Sequence, residues 1–264
     1  MILTVDIGNT NISMGFVDDG KIISTFRLTT KSPRTSDEFV IALSSFFTTA
    51  EVMKHQVEDV IISSVVPQIM YTFTSAIFKY LKKEPLIIGP GIKTGIKIHT
   101  ENPKEVGADR IVDVVAGYNR YKSSCIVVDF GTATTFDYIS KDAEFKYCII
   151  MPGLGISTNA LTSQAAKLPN IEIKKPDSIL GTNTIQGMQA GIVYGYIGAV
   201  EYVIKTMKKE LNDLDCPVIA TGGLGRIIAS ETEAIHEYDP DIAYKGMWQL
   251  YQLNKEGAVK KPNS

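Results

Sequence analysis

The chain has few of the residues that build metal clusters or disulfide frameworks. Its 264 residues include only three cysteines and three histidines, and none of them is paired at a spacing typical of metal ligands or redox motifs. We therefore expect neither a zinc site nor a disulfide framework. The six residues, which we interpret as structural or incidental, are Cys125, Cys148, Cys216, His55, His99 and His236.

The sequence also lacks a strong net charge and a long apolar run. A formal net charge of −2 gives no general attraction to nucleic acid or to anionic membranes. No apolar run approaches the ~20 residues that a membrane-spanning helix needs. Residues 1–4 lead into the first motif without a basic leader segment. We expect a cytoplasmic protein that binds a small ligand, with no nucleic-acid or membrane partner.

Two common nucleotide-binding motifs are incomplete. Residues 15–21 have the glycine and lysine spacing of a P-loop, but Ile22 stands where a magnesium-binding Ser or Thr is required. Gly223 and Gly225 begin a G-x-G-x-x-G pattern that ends at Ile228, so the dinucleotide-binding fingerprint is not supported. A nucleotide would therefore be bound by another architecture.

An acidic glycine-hydroxyl turn occurs twice. Residues 5–10 read VDIGNT and residues 128–133 read VDFGTA, which places Asp6 and Asp129 123 residues apart. Aspartate can hold a hydrated Mg²⁺, glycine lets the backbone approach phosphate, and Thr or Asn supplies uncharged donors. One such turn alone is an ordinary turn signal. The repeat predicts two similar half-domains that hold one polyphosphate, most simply ATP, between them.

The order of strands and helices repeats with the turns. Each half begins with three strands joined by turn signals, a pattern typical of an antiparallel meander, and βα units follow. We predict two domains, residues 1–118 and residues 119–264, because the chain is longer than one core usually supports. Each domain is expected to be a mixed five-stranded sheet with helices. This α/β scheme is similar to the ribonuclease H-like fold of the actin-like ATPases.

A helix start is predicted around Asn102 and Pro103, with Glu105 at its third position. Helical spacing then places Asp109 and Asp113 one turn apart. One interpretation is a solvated acidic face on which Arg110 pairs with Asp113. The other is a general base beside an anion clamp, and the spacing alone does not decide between them.

Two glycine-rich segments have competing interpretations. Gly187, Gly191, Gly195 and Gly198 share one face of a predicted helix, and we expect that face to pack closely against the sheet, the other domain or a second subunit. Residues 221–225 follow an apolar strand. They predict either a tight turn that requires positive φ or a floor for a bound nucleoside.

Eight ordered motifs give the chain a more specific resemblance. They are DIGNTN at 6–11, RTSDE at 34–38, IISSVVP at 61–67, GPGIKTG at 89–95, NPKEVGADR at 102–110, VDFGTATT at 128–135, GTNT at 181–184 and TGG at 221–223. With these motifs the chain resembles the type III pantothenate kinases, the Bvg accessory factor family of the actin-like ATPase superfamily. The likeness extends over nearly the whole sequence.

The resemblance implies ATP-dependent phosphorylation of pantothenate to 4'-phosphopantothenate, the first step of coenzyme A biosynthesis, by a homodimer. It implies Mg²⁺ with ATP and a monovalent cation, K⁺ or NH₄⁺. Asp109 matches the catalytic base, Asp129 matches the monovalent-cation ligand, and Asp6 lies near Mg²⁺. The ATP-binding positions implied are Asp6, Ile7, Gly8, Asn9, Thr10, Asn11, Ile12, Ser13 and Thr132. The substrate-binding positions implied are Gly107, Ala108, Asp109, Arg110 and Thr184.

Two positions depart from the family pattern. Thr100 stands where members commonly have Tyr, and Tyr147-Cys148 replaces a usual Gly-Gly pair. Both changes concern the acceptor pocket or the backbone near it rather than the phosphate motifs. Two alternative functions stay open from the residues: a non-catalytic ATP-binding regulator, and a phosphohydrolase of the same superfamily that uses water as acceptor.

Overall fold

The computed structural model describes residues 1–258, which form two compact units. The first unit contains residues 1–119 together with residues 241–258, and the second contains residues 120–240. The sequence-based division at residue 118 lies close to this boundary. It differs in placing the last helix with the second half of the chain.

The first unit is built on a five-stranded sheet in the order β3-β2-β1-β4-β5. Strands β1, β2 and β3 are antiparallel, whereas β4 is parallel to both β1 and β5. The elements of this unit are β1 (Ile2–Ile7), β2 (Asn11–Asp18), β3 (Lys21–Thr29), α1 (Ser36–Thr49), β4 (Asp59–Ser64), α2 (Pro67–Leu81), β5 (Leu86–Ile87), β6 (Lys97–Ile98), α3 (Ala108–Tyr121) and α7 (Ile242–Ala258).

The second unit repeats this arrangement. Its strands lie in the order β11-β10-β7-β8-β9, with β7, β8 and β9 antiparallel and β10 parallel to β7 and β11. The predicted pair of ribonuclease H-like domains is confirmed. The elements are β7 (Cys125–Phe130), β8 (Ala133–Ile139), β9 (Glu144–Pro152), α4 (Leu154–Gln164), α5 (Thr184–Glu210), β10 (Val218–Thr221), α6 (Gly225–Ala229) and β11 (Glu237–Tyr238).

Strand β1 separates two apolar layers in the first unit. Leu3, Val5 and Ile7 face one side, where they are buried with aromatic residues of α1 and α2. Ile2 faces the other side and is buried with residues of α3 and α7. Because side chains alternate along a strand, Asp6 also projects to the side that α3 and α7 cover.

The last helix belongs to the first unit because of its apolar face. Tyr244, Met247 and Leu250 of α7 are buried in the same cluster as Ile2 and Ile61. The tyrosine ring lies against Gly15 of β2, so closely that a Cβ atom at that glycine would be 2.9 Å from the ring. Burial of these side chains explains why the helix returns to the first sheet.

The starts of α1 and α2 follow local sequence signals, whereas the start of α3 was misplaced. Thr35 and Glu38 form the reciprocal capping box that starts α1, and Pro67 occupies the first turn of α2. At Pro103, the structure has only a short 3₁₀ turn, Pro103–Glu105, and α3 begins at Ala108. The predicted helix start at Pro103 is therefore wrong, because the same proline signal also suits a single turn.

Candidate active site

The first acidic turn is held by its own backbone and by Thr30. The Gly8 amide donates to the Asn11 carbonyl at 3.0 Å, and the Thr30 amide donates to the Thr10 carbonyl at 2.9 Å. The Thr30 hydroxyl donates to the Gly8 carbonyl at 2.8 Å. These bonds fix the connection between β1 and β2, and the side chains of Asn9 and Thr10 stay exposed.

Asp6 is the penultimate residue of β1 and has an unusual environment for a carboxylate. The residue is partly buried, and its Oδ1 atom is enclosed without a hydrogen-bond partner. Burial and, to a smaller extent, the negative charge of Asp109 raise the pKa of Asp6 to about 7, against an opposing effect of the Ser63 side chain. The enclosed oxygen can still accept a hydrogen bond, and a carboxylate is suited to hold a cation or its bound water.

Asp109 lies in the first turn of α3. Its Oδ1 atom accepts a hydrogen bond from the Arg110 amide at 2.8 Å. Burial raises the pKa of Asp109, and the backbone and charge of Arg110 act in the opposite direction. Gly107 is required beside it, since a Cβ atom there would collide with Asp109 Oδ1 and crowd Val65.

The two acids on α3 do not form a solvated face. Asp113 is 7 % exposed, and Ile111 through Gly117 are all buried. The negative charge of Asp109 acts on Asp6, 103 residues away in the sequence. The interpretation as an acidic face is therefore wrong, and the structure brings together Asp6, Asp109 and the predicted substrate-binding residues 107–110.

The second acidic turn lies in the other unit and is enclosed by glycines. Asp129 is the penultimate residue of β7, as Asp6 is in β1. A Cβ atom at Gly222 would be 2.6 Å from Asp129 Oδ1, and one at Gly131 would be 3.0 Å from Asp129 Oδ2. Gly153 has no space for a Cβ atom beside the carbonyls of Gly131 and Thr132. The turn therefore depends on close backbone approach at three glycines.

The turn after β10 has the positive φ that the sequence predicted. Gly222 has φ +93°, and its carbonyl accepts hydrogen bonds from the Tyr238 hydroxyl at 2.8 Å and the Gly225 amide at 3.2 Å. Its role as a floor for a nucleoside stays a prediction. Thr132 is exposed on the β7–β8 turn, and Thr184 is exposed at the start of α5, where Asn183 caps the helix.

We expect the stability of the metal-free protein to fall as pH rises from about 4 to about 7. Asp6 has a raised pKa in the folded state, so the folded protein retains a proton that the unfolded chain has lost in this interval. The loss attributable to Asp6 should be roughly 2 to 4 kcal/mol. Urea unfolding of the wild type and Asp6→Asn across this range measures it. Parallel pH profiles for the two proteins would contradict the assignment.

Ser63 is a site residue that the sequence analysis did not single out. It lies on β4 directly beside Asp6 in the parallel register, is completely buried, and has no hydrogen-bond partner for its Oγ atom. The available signals were its place in the IISSVVP motif and its position at the end of the apolar run at residues 60–62. The same position in the second half of the chain is occupied by Thr221, which pairs with Asp129.

Comparisons with known proteins identify the family of the chain. The family model described as type III pantothenate kinase matches residues 2–206. The chain belongs to the type III pantothenate kinase family. Relatives bearing that name include a protein of Agathobacter rectalis, 50% identical over 98% of this chain and 100% of its own. Another, from Bifidobacterium adolescentis, is 45% identical over 96% of this chain and 99% of its own.

A solved structure supports the fold assignment of this pantothenate kinase family member. The activator of 2-hydroxyisocaproyl-CoA dehydratase from Clostridium difficile, solved with bound ADPNP, has a TM-score of 0.51. It is 10% identical and covers 100% of this chain and 99% of its own. At this identity the likeness shows the actin-like ATPase fold alone.

Within residues 1–258, no helix is both long and apolar enough to cross a membrane.

Proposed function

We propose that the protein phosphorylates pantothenate with ATP and a divalent metal, forming 4'-phosphopantothenate in the cytoplasm as the first step of coenzyme A biosynthesis. The observation that carries the chemistry is the pair Asp6 and Asp109, an acid at the end of β1 next to an acid in the first turn of α3. Membership of the type III pantothenate kinase family supports the reaction and its acceptor.

Asp109 acts as the general base in this proposal. An alcohol is too weak an acid for a carboxylate to ionise it beforehand, so Asp109 orients the hydroxyl and accepts its proton as the phosphoryl group transfers. The bond from the Arg110 amide and the glycine at position 107 fix the orientation of the carboxylate. Burial raises its proton affinity, which favours acceptance of the proton.

The remaining predicted ligands have separate roles. Residues 6–13 and Thr132 contact ATP, while Gly107, Ala108, Asp109, Arg110 and Thr184 contact the acceptor. The carboxylate of Asp6, near the end of β1, fits a role towards Mg²⁺. Within the described part of the chain, no three Asp, Glu, His or Cys side chains cluster, so ATP phosphates and water would be its other ligands. When bound, the metal neutralises charge on the phosphates.

ADP release from Mg·ATP with and without pantothenate tests the function. A kinase gives turnover that depends on pantothenate. Turnover of similar rate without pantothenate would instead indicate the phosphohydrolase. Nucleotide binding without turnover in either condition would indicate the regulatory protein.

Asp129 is proposed to hold a monovalent cation, K⁺ or NH₄⁺. Its carboxylate lies against the glycine turns at Gly222 and Gly131 in the second unit, where a cation would offset repulsion between it and a polyphosphate. Turnover should rise strongly, about tenfold or more, when K⁺ replaces tetramethylammonium at fixed Mg·ATP and ionic strength. Asp129→Asn should blunt that response. The control is Asp142→Asn, which removes an exposed carboxylate in the β8–β9 turn. Equal turnover of the wild type in both salts would refute the proposed cation site.

A homodimer is proposed because the glycine face of α5 is exposed. The predicted face is open: Cβ atoms at Gly187, Gly191, Gly195 and Gly198 would contact nothing within 4 Å. Of the three expected packing partners, the sheet is therefore not favoured, and a second subunit is the partner proposed here. Tyr202 lies on the same face and is 71% exposed, and aromatic side chains beside small residues are typical of subunit contacts.

Light scattering should report twice the 29.0 kDa chain mass. Tyr202→Glu should shift the mass towards the monomer, because it buries an unpaired charge in the interface. Tyr71→Glu is the matched control, since Tyr71 is 86% exposed on α2 and should leave the dimer intact. A fully active wild-type monomer would contradict the proposal.

A further inference from the structure

A row of polar side chains crosses the first sheet at Asp6. Ser13 on β2 and Ser63 on β4 are its register neighbours on either side, and paired residues on adjacent strands project to the same face. Ser63 is completely buried, and its Oγ atom has no hydrogen-bond partner. Asp6 Oδ1 is enclosed and equally unpartnered. A buried donor and a buried acceptor therefore lie side by side, each costing free energy while unsatisfied.

Ser63 is the better placed of the two serines to act on Asp6. The Ser13 hydroxyl lies near the Tyr244 hydroxyl, which also faces Arg27. The charged group that faces Asp6 from α3 is Asp109, and its effect is repulsive. Ser63 is close enough that its side chain lowers the pKa of Asp6, the effect expected of a donor beside the ionised carboxylate.

The second unit has the same pairing. Thr221 on β10 lies beside Asp129 on β7 in a parallel register, and Thr221 is 6% exposed. Thus each acid that ends the first strand of a unit has a buried hydroxyl side chain beside it on the neighbouring parallel strand. The repetition indicates a shared role for the hydroxyl rather than accidental filling of the core.

We propose that Ser63 is a positioning residue whose hydroxyl donates to the Asp6 carboxylate and holds it in the orientation that receives the metal–nucleotide complex. The inference rests on the proposed function, in which Asp6 lies near Mg²⁺. Ser63 itself touches neither nucleotide nor acceptor. It acts through Asp6, by satisfying one carboxylate oxygen so that the other is directed to the cation or its water.

The test is the Mg²⁺-dependent affinity for a non-hydrolysable ATP analogue, measured by calorimetry with Mg²⁺ and with EDTA. Ser63→Ala should reduce the gain in affinity that Mg²⁺ provides by about tenfold, since hydrogen bonds to charged groups have effects of this size. Affinity in EDTA should change less than about twofold. Ser63→Thr, which restores a hydroxyl, should recover most of the gain.

Thr4→Val is the matched control. Thr4 is also completely buried and lies two residues from Asp6 on the same face, but its hydroxyl donates to the Gly15 carbonyl at 2.9 Å. Its loss should lower stability and leave the Mg²⁺ dependence unchanged. Ser63→Cys, with a weaker donor of similar size, should give an intermediate response and serves if Ser63→Ala folds poorly.

The outcomes separate the inference from the function beneath it. A wild type whose affinity rises with Mg²⁺, together with a folded Ser63→Ala variant showing the same rise, overturns the role of Ser63 and leaves the kinase proposal intact. If the wild type binds the nucleotide with the same affinity in Mg²⁺ and in EDTA, the role of Asp6 towards the metal is overturned. The role of Ser63 is then overturned as well.

Discussion

Asp109→Asn should reduce kcat by on the order of 10²-fold or more, the usual scale for loss of a general base. The asparagine side chain has nearly the same shape as aspartate, so its oxygen can still accept the hydrogen bond from the Arg110 backbone amide. This bond measures 2.8 Å in the native protein. It cannot take the proton of the acceptor hydroxyl. The variant should therefore bind Mg·ATP with nearly native affinity, which calorimetry measures alongside steady-state turnover.

The control for this variant is Asp37→Asn. Asp37 also lies in the first turn of a helix of the first unit, but it forms a surface ion pair with Lys79, and such pairs contribute little. Its turnover should be native. A correctly folded Asp109→Asn protein with turnover near that of the control would rule out the assignment of Asp109 as the base.

Gly222→Ala should destabilise the protein by about 2 to 4 kcal/mol. Gly222 has φ +93°, and an added Cβ atom would be 2.5 Å from the Phe130 carbonyl oxygen and 2.6 Å from Asp129 Oδ1. Strain and collision therefore act together at one position. Urea unfolding measures the change, and the response of turnover to K⁺ should weaken as well, because the carboxylate of Asp129 must move.

The neighbouring glycine provides the comparison. A Cβ atom at Gly223 would contact nothing within 4 Å, and its φ is not in the left-handed region. Gly223→Ala should change the free energy of unfolding by less than about 1 kcal/mol. If both substitutions had the same small effect, the close approach of Gly222 to Asp129 would not describe the protein in solution.

Much of the fold was predictable because its signals are local. The capping box of Thr35 and Glu38 lies within four residues of chain, and the strand and turn at Asp6 recur as a contiguous pattern at Asp129. The start of α3 was misplaced because proline at 103 suits an isolated 3₁₀ turn as well as an α-helix. The last helix, α7, was not predicted, and no local pattern specifies which sheet receives its apolar face.

The site was harder to predict where it depends on distant residues. The proximity of Asp6 to Asp109 joins residues 103 positions apart and arises only when α3 covers one face of the first sheet. Ser63 lies within the IISSVVP motif, but its position beside Asp6 depends on a parallel register that the sequence does not encode locally. The sequence could identify Asp6 and Asp109 one at a time, but their electrostatic coupling arises only in the tertiary fold.

The return of α7 to the first unit also affects the order in which the chain can fold during synthesis. The second unit is continuous from residue 120 to residue 240, so all its contacts can form before the last helix is made. The first unit begins earlier but cannot complete its α3 and α7 layer until Tyr244, Met247 and Leu250 have emerged. Until then Ile2 and Ile61 lack these partners. The unit whose synthesis begins first therefore completes its folding last, and its unfinished apolar layer leaves the nascent chain open to aggregation.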